Sequence, residues 1–204
     1  MNVASFCKFT HIVVLSVLLS GCMLLSSPDV AYYMIKPTAN IEANATQERS
    51  ELSIAMGPAG FPEYLERNQI VTRQNNRLHF NEFHRWGAPF ERSVLSVLGE
   101  NVSALMNTPK MVVYPELPRF PIHYRVVFEF LNFEGDLDNA LNMNVRWMII
   151  DGASRQTLHI EQTQLSKKMA SNNYDDLVDA YNALLLSLSE KVAASVSKVH
   201  RESS

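Results

Sequence analysis

The sequence predicts one α/β domain of the α+β kind: a mostly antiparallel sheet with two long helices packed on one face, over residues 30–204. Three observations predict it. Residues 124–131, 141–149 and 156–166 read at a period of two, and Glu134-Gly135 and Asp151-Gly152 supply tight turns that join them into a meander. Phe90, Val94, Val97, Leu98, Val102 and Leu105 form a stripe at helical spacing, and Leu177, Tyr181, Leu184, Leu188, Val192 and Val196 form a second. Ahead of both lies an apolar run of about a dozen residues. It is shorter than the ~18 or more needed to cross a bilayer and is placed as in an export signal.

Taken in chain order, Lys8 is the one basic side chain before that run, FTHIVVLSVLL (9–19), which ends Leu19-Ser20-Gly21-Cys22. This tetrapeptide resembles the bacterial lipobox, in which the cysteine thiol is acylated and the chain is cut before it. The thiol must act as the nucleophile, small residues at Ser20 and Gly21 let a membrane-embedded peptidase close on the backbone, and Leu19 fills an apolar subsite. The alternative, Cys22 as a small buried hydrophobe, does not account for this spacing. The resemblance implies a lipoprotein signal peptide over 1–21 and lipid attachment at Cys22, followed by a short tether over 22–29. Met23 stands where lipoproteins held in the inner membrane tend to carry aspartate, which implies the periplasmic face of the outer membrane. Eight tether residues span at most about 25–30 Å, so the domain stays close to that surface.

Cys7 lies within the signal, so the mature chain has no second thiol and no intramolecular disulfide. About 180 residues bury roughly 70% of their unfolded surface, enough for one core. The formal net charge of -3 becomes -4 once Lys8 is removed, which gives no basic footprint for nucleic acid.

VAYYMIKP (30–37) is rich in strand formers and stops at Pro37. ELSIAMGP (51–58) is a second strand, broken by Gly57-Pro58-Ala59-Gly60. FPEYLER (61–67) is one helical turn begun by Pro62. IVTR (70–73) and RLHFNEF (77–83) flank a hairpin turn at Asn75-Asn76. Pro89 opens the first long helix, 89–106, with Glu91 at its positive end. A short strand over 110–114 and a proline-punctuated loop lead to the meander. In the meander, 124–131 is apolar on both faces and therefore central, 141–149 is one-sided, and 156–166 is nearer an edge. Asn173 caps the last helix, with Asp175 and Asp176 in its first turn, and it runs to about Val199.

Several residues form an ordered set: Tyr32-Tyr33, Gly57-Pro58, Pro62-x-Tyr64-Leu65, Gln69-Ile70-Val71-x-Arg73, His84-Arg85-Trp86-x-x-Pro89, then Phe133-Glu134-Gly135 and Trp147. In this order they resemble the ABC-type transport auxiliary lipoproteins of the PqiC/YmbA type, over nearly the whole mature chain. Gly87-Ala88 departs from the Ala-Glu more usual before that proline. The resemblance implies a non-catalytic outer-membrane lipoprotein. It would serve as auxiliary to a system built on an MCE-domain periplasmic protein, which moves lipid between membranes and supports envelope integrity. ATP hydrolysis would belong to other subunits.

No Gly-x-Ser-x-Gly elbow, phosphate loop or dinucleotide fingerprint is present, so no enzyme and no cofactor is expected. The six histidines make no His-x-x-x-His pair, and the 135–140 loop lacks the glycine and distal glutamate of a calcium loop, so no metal is expected. Arg85 and Trp86 are of hot-spot type and are candidate partner contacts, although Trp86 packed under the helix start with Arg85 paired locally is the simpler reading. Val127, Leu131 and Phe133 lie opposite the 124–130 apolar face. They are further candidate contacts, for self-association into a homo-oligomer or for the MCE-domain partner. Trp147 is expected in the core beneath the last helix. The competing functional class is a lipid-binding carrier or envelope-assembly lipoprotein, which needs its own apolar pocket of a few hundred Å³.

Overall fold

The long central strand lies where three neighbours can pair with it. In this computed structural model, which describes residues 28–39 and 50–203, the strands are β1 (Ala31–Tyr33), β2 (Ile54–Gly60), β3 (Gln69–Gln74), β4 (Arg77–Trp86), β5 (Met111–Val113), β6 (Tyr124–Gly135), β7 (Ala140–Asp151) and β8 (Thr157–Lys168). The helices are α1 (Phe90–Leu105) and α2 (Tyr174–Ser203), with one 3-10 turn at Glu63–Leu65. The meander β6-β7-β8 is antiparallel along its length, as is the β3-β4 hairpin. On its other edge β6 pairs with β2 over its first half and with β3 at Gly135, both in parallel. β5 then adds to β2, and β1 to β4, again in parallel. The eight-stranded mixed sheet is thus mostly antiparallel and branches at β6, and residues 31–204 form one compact unit.

Both helices cover the same face. Phe90 of α1, Tyr181 of α2 and Phe133 of β6 form a ring cluster with centroids 4.7 to 5.8 Å apart. Inward residues of β6 and β7, among them Tyr124, Val126, Phe128, Met143, Val145 and Ile149, are buried beneath them. Trp147 is fully buried there, and among the described residues its Nε1–H has no hydrogen-bond partner. The helix starts follow their sequence signals: Asn173 Oδ1 accepts from the Asp176 N–H at 2.7 Å, and Pro89 precedes α1. Asn75 takes the left-handed conformation, φ 54°, that the two-residue β3-β4 turn needs.

Three expectations require correction. Glu134-Gly135 is not the turn between the first two meander strands: both residues pair within the β6-β7 ladder, with Asn142 and Leu141, and the turn falls at 136–139, because the ladder continues past the bulge between Phe130 and Asn132. β2 does not stop at Gly57. The chain bulges there, with Gly57 at φ 97°, and rejoins the ladder at Ala59 and Gly60 opposite Phe128 and Glu129. A glycine absorbs that conformation where a Cβ would meet the Tyr114 Cβ at 2.9 Å. Phe133 does not lie on the outer face. The β6-β7 register shifts between Phe130 and Asn132, one extra residue is accommodated, and the side-chain parity reverses beyond it. Leu131 is left on the bulge, 39% exposed, while Phe133 turns into the core at 0% exposure.

Candidate functional site

The face of the meander away from the helices has two halves. Toward the start of β6 an apolar row crosses three strands: Val127 pairs with Met148, and Met148 with Ile160. Val127 and Met148 are half-buried, and Ile160 is 60% exposed. Further along β6 the face becomes polar. Arg146 bridges to Glu129 at 2.8 Å and to Gln162, Gln162 donates to Asn144, and Ser166 donates to Asn142. Among the described residues β8 pairs only with β7, so its outer edge is open, with Lys167 and Lys168 at one end. Lysines at an edge discourage indiscriminate strand pairing.

At the far end of β6 lies a buried carboxylate. Glu134, its side chain 4% exposed, accepts from Arg73 Nε at 2.7 Å, from the Tyr64 hydroxyl at 2.9 Å and from the Phe133 N–H at 2.9 Å. Burial, and then the hydrogen bond to Glu134, push the Tyr64 phenol up to about 12. The hydrogen bond to Glu134 likewise raises Arg73. These three groups come from the 3-10 turn, β3 and β6, and they tie the hairpin to the meander. Their spacing in the chain gives no hint of the contact, although all three belong to the ordered set of motifs.

Of the candidate partner contacts, Arg85 pairs with Glu82 at 3.1 Å. Trp86 is buried, stacked 4.9 Å from Phe90 and edge-on to Tyr181 at 5.2 Å. Both take the local, structural arrangement. Val127 and Leu131 are on the outer face, separated by Glu129, and β3 stands between their strand and that of Arg85 and Trp86. Cys22 lies outside the described residues. A Ser53–His123 pair at 2.6 Å superficially resembles a nucleophile and base, but Ser53 is buried and its hydroxyl donates to the Pro121 carbonyl. Its work is to clasp the proline-rich loop. Among the described residues no cluster of His, Cys, Asp and Glu could hold a metal, and no helix is long and apolar enough to cross a membrane.

Two surface cavities are formed by described residues. One, about 520 Å³, is lined by Arg73, Glu134, Asp136 and four asparagines. The other, about 230 Å³, lies between Arg125 and Arg155 at the apolar end of the outer face. Both are open surface cavities with polar and apolar residues in their walls.

The sequence pattern of the ABC-type transport auxiliary lipoprotein component matches residues 33–193. The chain belongs to that family. It is thus a lipoprotein component accessory to ABC-type transport. No curated protein sequence matches it. Among solved structures, an uncharacterised protein shares 16% identity and a TM-score of 0.67, covering 83% of this chain and 99% of its own. A Xanthomonas campestris protein shares 8% identity and a TM-score of 0.68, covering 85% of this chain and 98% of its own. These likenesses establish the fold. In this auxiliary lipoprotein the motif residues serve structural contacts: Tyr33 hydroxyl to His84 Nδ1 at 2.8 Å, Trp86 on Phe90, and Tyr64 and Arg73 on Glu134.

Proposed function

We propose that this chain is a non-catalytic docking component of an MCE-type intermembrane lipid transport system. Acyl chains on Cys22 hold it at the periplasmic face of the outer membrane, and it contributes to envelope integrity. The observation that carries the reading is the one-sided build of the domain: both helices cover one face, while Val127, Met148 and Ile160 lie on the other beside the open edge of β8. An apolar row next to an unpaired edge favours association, first with further copies of the chain in a closed ring and through that ring with a tubular partner. Residues 1–21 are removed as signal, and each acyl methylene adds ~0.8 kcal/mol of membrane affinity, so two or three chains anchor the tether stably.

The test is a pull-down of the full chain from detergent-solubilised envelope, with light scattering on the purified protein. An MCE-domain protein should co-purify and the protein should oligomerise. A strict monomer that captures no MCE-domain protein refutes the reading. Intact mass checks the anchor: a chain beginning at an acylated Cys22 is expected, and an unlipidated chain starting elsewhere removes it.

A further inference from the structure

We propose that the cavity between Arg125 and Arg155 binds the phosphate of an amphiphile, whose apolar part lies along the adjoining row of the outer face. The walls are of two kinds. Arg125 and Arg155 are among the residues that line it, and so are the apolar Phe120, Ile122 and Ile150. Arg125 donates to the Gly57 carbonyl at 3.0 Å, and neither arginine forms an ion pair among the described residues. Asp151 also lines the cavity, but its Oδ1 is taken up within its own turn, accepting from the Ala153 and Ser154 N–H groups and the Ser154 hydroxyl at 3.1, 2.6 and 2.8 Å. Two arginines against the single Asp151 carboxylate leave the lining net positive, and the guanidinium fork matches phosphate oxygens in pairs.

The cavity is held in shape before any ligand arrives. The Gly152 N–H donates to the His123 carbonyl at 2.8 Å, and the Ser53 hydroxyl holds Pro121 at 2.7 Å. Gly152 approaches so closely that a Cβ there would fall 1.8 Å from the Ile122 carbonyl oxygen. Such preorganisation lowers the cost of binding. The apolar row begins two residues from the cavity wall: Ile150 pairs with Arg125, and on the same face Met148 pairs with Val127 and Ile160. A head group between the arginines therefore directs its chains across Met148 toward Ile160. That continuity selects an amphiphile over a bare anion.

Isothermal titration of the full chain in non-ionic detergent tests this, with dihexanoyl phosphatidic acid, dihexanoylglycerol and inorganic phosphate as probes. No partner protein enters the titration, and because self-association would cover the same row, light scattering on the titrated sample separates failure of this site from the docking reading. The phosphatidic acid should bind saturably, and the two half-probes at least ~10-fold more weakly. Arg155→Gln, a change at an exposed turn residue, should weaken the phosphatidic acid ~10-fold or more, as should Arg125→Gln in protein whose unfolding temperature is unchanged. Phe120→Ser should weaken the phosphatidic acid and leave inorganic phosphate untouched. Equal binding of inorganic phosphate overturns the amphiphile, and equal binding of dihexanoylglycerol overturns the phosphate. Unchanged affinity in Arg155→Gln, or no saturable binding, overturns the site.

Discussion

The two faces of the β6-β7-β8 meander are made by the same residues in alternation and do opposite things. The inner face presents Val126, Phe128, Val145, Trp147 and Ile149 to two helices and is closed to water. The outer face presents Val127, Met148 and Ile160 at one end and a lattice of Arg146, Glu129, Gln162 and Asn144 at the other, and neither α1 nor α2 covers it. One face therefore carries the stability of the domain, and on the proposed reading the other serves contacts outside it. A substitution should report which face it touches by whether it changes folding or association.

The largest effect is expected at Trp147. Trp147→Ala should cost about 3–5 kcal/mol by thermal or denaturant unfolding, from lost burial and the cavity left behind. Trp147→Phe should cost far less, because it also removes the unpartnered indole N–H. Equal losses in the two variants would mean that packing volume is not what the inner face supplies there.

Glu134→Gln comes next, at about 2–3 kcal/mol. Three donors converge on that carboxylate, and hydrogen bonds to a charged group count for more than neutral ones. Arg73, 40% exposed, can turn to water once its partner is gone, which limits the loss. A negligible change in denaturation midpoint would break the view that this network joins the hairpin to the meander.

Tyr64→Phe is smaller, about 1–2 kcal/mol near neutral pH, and has a pH signature. In the folded chain the phenol is held at about 12 instead of 10.0, first by burial and then by its bond to Glu134. The folded state keeps this proton where the unfolded state has lost it. The contribution is thus full below pH 10 and is lost as the pH rises toward 12. Unfolding followed across that window should show a shallower fall in Tyr64→Phe, and an unaltered slope would remove Tyr64 as the source.

The smallest effect on stability is expected on the outer face. Ile160→Glu and Val127→Glu should change stability by about 0.5 kcal/mol or less, yet dissociate the proposed oligomer in light scattering. Unfolding of these variants would show that the outer face is core after all.

Much of this was legible in the residues. Phe90 to Leu105 and Leu177 to Val196 announce their helices because a period of 3.6 is written locally, and Asn173 and Pro89 mark the starts through chemistry within one turn. The three meander strands and the Asp151-Gly152 turn are equally local, whereas Glu134 and Gly135 extend β6 and the turn falls after them, and the buried place of Trp147 follows from parity along its own strand. The packing of Trp86 against Phe90 at the start of α1 was legible for the same reason, since Pro89 and the helix start need an anchor close by.

What the chain by itself could not show depends on contacts far apart in sequence. The bulge between Phe130 and Asn132 reverses parity only because β7 fixes the register on either side, and that carries Phe133 from the outer face to the core. Gly57 ends a strand when read locally, but β6 offers the following residues a ladder to rejoin, so β2 continues to Gly60. Tyr64, Arg73 and Glu134 meet, and Arg125 and Arg155 share one cavity, because the sheet branches at β6 and the β7-β8 turn folds back beside the proline-rich loop. Periodicity states which side of an element is apolar. Only the pairing of distant backbones decides what that side faces, because hydrogen-bond register is a property of two strands and is encoded in neither alone.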